Sequence, residues 1–233
     1  MSMNGQFRQV SPRALSILLE QPDLLPAALE QDQWGADPAD PADPMACLPA
    51  AMRGIIGTLP PEALQAAVAQ QAEMMQRMLG ANPALARLLA AEAEDAGEDA
   101  DALRAAGITD ADLPEMLGID KTWHGLHFLL AGPGYVAGPG AGQAVLGGRE
   151  TGDEYVYGPV RVMTPAETAE VAAALAALTE DEVAGRYDAG AMAAADLYGA
   201  WDDAEELQEA FRVVRNYYAD AWERGYGMLL AIV

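Results

Sequence analysis

Basic charge is scarce in this sequence. Thirteen Lys and Arg stand against 36 Asp and Glu, for a formal net charge of −23 at pH 7. Such a surface repels duplex nucleic acid and anionic membranes, so neither is expected as a partner. Acidic residues scattered along helix faces serve solubility; the sharper reading of the imbalance is a basic protein partner. Cysteine is nearly absent. Cys47 stands alone, which excludes an internal disulfide and fits a reducing cytoplasm. Its setting, Pro44-Met45-Ala46-Cys47-Leu48-Pro49, suits a small buried apolar residue rather than a nucleophile. Serine occurs at positions 2, 11 and 16 only, all with start-of-chain or capping roles, which argues against a Ser-His-Asp triad. No apolar run approaches the roughly 18–20 residues of a membrane span. The first residues lack a basic region followed by an apolar core, so no signal peptide is expected. No Gly-Lys-Ser/Thr phosphate loop and no strong dinucleotide fingerprint is present, and no cofactor is expected.

What is present reads as an α+β chain. Gly5–Val10 alternates as a short strand, and Ser11-Pro12 starts a helix as N-cap and N1. A second short helix spans Asp23 to Glu30. Asp37 to Pro44 repeats an Asp-Pro unit that forbids helix and ladder alike, and reads as an extended linker. Residues 45–118 read as helices only, at 48–57, 60–79, 83–95, 98–106 and 110–117. The glycine- and proline-rich stretch 132–142 is an irregular loop. Gln143–Leu146 reads as a strand, Thr151–Glu154 as a turn, and Tyr155–Met163 as a strand broken at Gly158-Pro159. Thr164-x-x-Glu167 and Thr179-x-x-Glu182 are capping boxes, and Asp188 caps a third helix. A long helix from Asp203 to Glu223 sets Leu207, Phe211, Val214, Tyr218 and Trp222 on one face; Met228–Val233 is a buried strand closing the sheet. The expected architecture is a small mixed sheet of about four short strands with several helices, plus an all-helical insertion.

The candidate chemistry gathers at Asp120–Leu130, which holds both histidines and the sole lysine, Lys121. Read as a helix, it has an apolar stripe of Ile119, Trp123, Leu126 and Leu130. Beside it runs a polar stripe of Asp120, His124 and His127. A carboxylate and two imidazoles on one stripe can hold a metal or form an oriented acid–base pair. Asp120 also sits where an N-cap belongs, and a capping carboxylate cannot be aimed outward as a ligand. A zinc site needs a third committed protein ligand, so no tight metal site is expected. The histidines are instead expected half-buried, hydrogen-bonded to backbone and anchoring the strand around Tyr157-Gly158-Pro159. If the strands pack on this helix, His124, His127, Glu150, Tyr157 and Arg161 form one polar cluster, the candidate catalytic set.

These residues also carry a family resemblance. Met3-Asn4-Gly5-Gln6-Phe7 before Ser11-Pro12, the Trp123-His124-x-Leu126-His127-Phe128 stretch, Leu146-Gly147-Gly148, Tyr157-Gly158-Pro159-x-Arg161 and Thr164-Pro165-x-Glu167 resemble the YfbM-like proteins of bacteria. The resemblance covers 1–44 and 119–233, one α+β domain; 45–118 looks like a helical insertion absent from shorter members. It implies an α+β fold. It implies no activity, because the family is one of unknown function.

Two functions fit the residues. One is a non-catalytic binding protein with an acidic surface, of a regulatory or immunity-like kind. The other is an enzyme or small-ligand-binding protein with its site at the histidine helix. A pocket with both imidazoles at its mouth favours the second; histidines buried without one favour the first. Under either, the −23 balance predicts no salt-sensitive, micromolar retardation of duplex DNA in a mobility-shift titration; such retardation would overturn the charge argument.

Overall fold

In the computed structural model, which describes residues 3–30, 97–199 and 204–233 (backbone alone at 152–154), the strand expected at Gly5–Val10 is present as β1. The chain divides into two compact units, Met1–Asp32 with Ala102–Val233, and Gln33–Asp101. The first holds the sheet. After β1 come α1 (Pro12–Glu20), a 3₁₀ turn at Pro22–Leu24 and α2 (Leu25–Glu30). Ser11 caps α1 as expected, its hydroxyl accepting from the Ala14 amide. Residues 97–105 are helical (α3). The expected helix at 110–117 is absent: the chain turns there, then forms the two-residue strand β2 (Leu117–Gly118). Asp112 accounts for the turn, accepting from the Thr109 amide and hydroxyl and from Ser11. The segment 45–118 is therefore not helical to its end. The expected helices at 48–57, 60–79 and 83–95, the Asp-Pro linker and Cys47 lie outside the described residues.

The central helix α4 (Thr122–Ala131) follows, then α5 (Gln143–Leu146), β3 (Arg149–Glu154) and β4 (Pro159–Met163). Gln143–Leu146 is thus a helical turn rather than a strand, its start tied down by the Gln143 side chain donating to the Gly138 carbonyl. The hairpin also sits four residues later than expected. Its turn is 155–158, closed by the Tyr155 amide on the Gly158 carbonyl, and Thr151–Glu154 belongs to β3. Both capping boxes are formed, opening α6 (Pro165–Ala176) and α7 (Glu180–Ala184), and Asp188 caps α8 (Ala189–Ala194). The long helix is α9 (Glu205–Arg224), which ends at Gly225 with φ 68°. Leu207, Phe211, Val214 and Tyr218 are buried along it, but Trp222 is 55% exposed, because the stripe continues through Ala221 instead. β5 (Gly227–Ile232) is last.

The fold is α+β, with five strands in the order β2-β1-β5-β4-β3. Every pairing is antiparallel, so the sheet is not mixed. β5 lies at the centre, paired to β1 on one side and β4 on the other, and it is buried from Gly227 to Ala231, so both its faces are covered, which explains its unbroken apolar run. One face carries Phe7, Met163, Met228 and Leu230 into a core with Trp123, Leu126, Leu175 and Phe211. The other carries Val10, Val162 and Leu229, all buried, together with Arg8, which donates to the Leu113 carbonyl.

Gly5 decides how close α4 comes to the sheet. A Cβ there would lie 2.7 Å from the Trp123 Cβ and 3.0 Å from Ile119 Cγ1, so no side chain fits. The expected core positions Trp123 and Leu126 are buried; Leu130 is only partly so, and Leu129 takes the deeper place. Trp123→Ala should lower the unfolding free energy by about 3–5 kcal/mol in denaturant melts, as buried aromatic truncations do. A loss under about 1 kcal/mol would refute its place in the core.

Candidate functional site

Helix α4 begins without the cap that its sequence suggests. Asp120 has φ 41°, lies before the helix and is exposed. Lys121 occupies the cap position with no side-chain bond, and the Thr122 hydroxyl instead donates to the Ile119 carbonyl. The reason is the backbone: the Asp120 carbonyl accepts from the Gly5 amide, and the Ile119 amide donates to the Gly5 carbonyl. That pairing holds the chain turned away from capping geometry. The expected stripe of Asp120, His124 and His127 is therefore broken at its first member. Among the described residues no group of three His, Cys, Asp or Glu could hold a metal ion.

The histidines are buried completely, at 1% and 0% exposure, not half-buried. Thr122 to His127 are all buried, so the first half of α4 has no solvent-facing side. His124 Nδ1 accepts from the Tyr198 amide at 2.8 Å, which puts the ring proton on Nε2. Its ring stacks on Trp123, with centroids 4.6 Å apart and planes 5° from parallel, and lies 4.8 Å from Tyr135. Among the described residues, His124 Nε2 and both His127 nitrogens lack a hydrogen bond of good geometry. Neither imidazole bonds to Tyr157-Gly158-Pro159, so the expected anchoring of that strand is not what holds them. Burial lowers the pKa of His124. It pushes His127 down to about 4, helped by the nearby His124 and Arg161 and opposed by the Val136 carbonyl.

A pocket of about 200 Å³ opens beside them. Trp123 and Tyr135 form one wall, Val145 and Leu146 from α5 another, and Leu230 to Ile232 the floor. Tyr157, Pro159 and Arg161 complete it from the hairpin and β4. Arg161 donates from Nη2 to Glu150 Oε1 at 2.6 Å; the two are cross-strand neighbours, 21% and 58% exposed at the side chain. Of the five residues expected to cluster, Arg161 and Tyr157 thus line the pocket, and Glu150 reaches it through Arg161. The Arg161 charge helps to lower the His127 pKa. His124 stacks on Trp123 and contacts Tyr135, both of which line the pocket, and neither histidine lines it.

The pocket's aromatic walls escape a reading of the sequence for acid–base chemistry. Tyr135 is 62% exposed and Val136 82%, both in the loop after α4. A tyrosine held in a stretch of glycines and prolines was the available signal. Tyr198 completes the group: its hydroxyl accepts from the Met3 amide, and the Met3 carbonyl accepts from Trp123 Nε1.

The burial of His127 makes stability depend on pH. Its folded pKa of about 4 lies below the ordinary value of 6.5, so between these pH values the unfolded chain binds a proton that the folded chain refuses. Stability is therefore full above about pH 6.5 and falls as the pH falls. Denaturant melts should show about 2 kcal/mol lost through this group between pH 7.5 and 5.0. His127→Gln should remove that share, leaving a shallower slope; an unchanged slope would contradict it.

Three comparisons bear on identity. No curated protein matches the chain. A solved structure, that of a protein of unknown function, YfbM from Escherichia coli, is similar at a TM-score of 0.50 and 15% identity, over 99% of each chain. At that identity the likeness concerns the fold. The family model for the domain of unknown function DUF1877 matches residues 1–231, running through the 45–118 segment as well as the flanking parts. With the match extending over nearly the whole length, and the α+β fold shared with YfbM, the chain belongs to the DUF1877 family, whose function is unknown.

Proposed function

We propose that the protein is a non-catalytic binding protein of the bacterial cytoplasm that engages a basic protein partner. One observation carries this reading. The two histidines, His124 and His127, are buried and do not line the pocket beside α4, while large apolar side chains stand out beside it. Tyr135, Val136, Val156 and Tyr157 are 62%, 82%, 53% and 39% exposed, on the loop after α4 and the β3–β4 turn. Exposed aromatics of this kind supply rigid contact area and mark interaction surfaces. The net charge of −23 favours a basic partner and speeds its encounter. Single Cys47 fits a reducing compartment, and no helix among the described residues is long and apolar enough to cross a membrane.

Selection from a displayed peptide library tests the reading. Enriched sequences should carry Lys or Arg around an aromatic or aliphatic anchor, and their binding should weaken with added salt. Tyr135→Ser with Tyr157→Ser should reduce that binding about ten-fold or more while leaving the melting transition in place. Enrichment of acidic peptides, or binding indifferent to the double change, would sink it.

A further inference from the structure

We propose that the pocket beside α4 is a binding site for a carboxylate carried on an apolar or aryl group, with Arg161 as the carboxylate's partner. The walls are apolar and aromatic, and among the described residues that line it Arg161 alone bears a charge. Hydrocarbon walls by themselves would take any small apolar group. The guanidinium supplies the discrimination. It sits on the pocket face of β4, directly across from Leu230, with 21% of its side chain exposed. Glu150 engages it through Nη2, and no other hydrogen bond to it is made by the described residues. A guanidinium presents five N–H donors in a planar fork, so an entering carboxylate can take a free edge while Glu150 keeps its own.

Charge decides between ligand classes. The overall −23 attracts cations to the surface, but a cation inside this pocket would meet Arg161 at its edge. The pair with Glu150, 58% exposed, is of the solvent-screened kind that contributes little, so it does not keep a second anion from the other edge of the guanidinium. A cavity of about 200 Å³ is smaller than the roughly 300–1,000 Å³ of drug-sized sites, and suits one compact group. The carboxylate can belong to a free organic acid or to the C-terminal residue of a chain. The inference goes beyond the partner proposed above and does not need it.

Isothermal titration of the full chain tests this with two probe pairs: 3-phenylpropionate against 3-phenylpropionamide, and the peptide N-acetyl-Lys-Lys-Phe as acid against its C-terminal amide. In at least one pair the acid should bind about ten-fold tighter than its amide or better. Discrimination by the small pair alone identifies a free acid; by the peptide pair alone, a chain terminus. Arg161→Gln should bring the acid down to the level of the amide, and Arg161→Lys, which keeps charge but loses the fork, should fall between. Glu150→Gln should leave the acid no weaker. Acid and amide binding alike in both pairs, no binding by either pair, or a preference that survives Arg161→Gln would overturn the proposal. Because the acid–amide contrast is read on the unaltered protein, a variant that failed to fold would not blunt it.

Discussion

Everything near the candidate site depends on one close approach, that of α4 to β1 at Gly5. The Gly5 amide and carbonyl are both used, on the Asp120 carbonyl and the Ile119 amide, and the space for a Cβ is filled by Trp123 and Ile119. This pins the first turn of α4 to the sheet and fixes where Trp123 stands. The Trp123 indole then donates to the Met3 carbonyl, stacks on His124 and forms a wall of the pocket. A residue larger than glycine at position 5 would not simply crowd a strand. It would lift α4 and move that wall.

The same approach accounts for the histidines. Helix α4 is buried from Thr122 to His127, so neither imidazole on it reaches solvent. Among the described residues, His124 Nε2 and both His127 nitrogens lack a hydrogen bond of good geometry, and burial holds both imidazoles toward the neutral form. Elsewhere two tyrosine hydroxyls reach buried backbone groups. The Tyr217 hydroxyl receives the Gln9 amide and faces the Phe7 and Glu115 carbonyls, and the Tyr218 hydroxyl donates to the Ala144 carbonyl. Burial raises the pKa of both phenols, so they stay protonated and serve as fixed connectors between α9, the sheet and α5.

How much of this was legible in the sequence follows from the range of the interactions. Capping boxes close within four residues, and Thr164, Thr179 and Asp188 cap as their spacing says. The strand Gly5–Val10, the long helix and the last strand carry enough residues for their patterns to speak. Gln143–Leu146 does not: four apolar residues suit a strand or a helical turn equally. The hairpin register was hidden because Arg149–Glu154 has poor strand propensity and is held extended by β4, through pairs such as Arg149 with Val162 and Glu150 with Arg161. Asp120 looked like a cap because its competitor, the Gly5 backbone, is far away in sequence. At the site, the Arg161–Glu150 pair and the involvement of Tyr157 were within reach. The burial of His124 against Trp123 and Tyr135 was not, since it comes from how a loop folds back over a helix.

The central position of β5 has a kinetic consequence. Gln6 pairs with Ala231 and Arg8 with Leu229, so the middle of the sheet joins segments from opposite ends of the numbering. Closing so long a loop costs on the order of 5 kcal/mol of chain entropy before any pairing energy returns. The β3–β4 hairpin, α6 and α9 with their local contacts can form early, whereas β1 and β4 have no common neighbour until β5 arrives between them. Folding is therefore expected to be slow for the chain's helix content. The β1–β5 pairing is thus the long-range contact on which completion of the sheet waits.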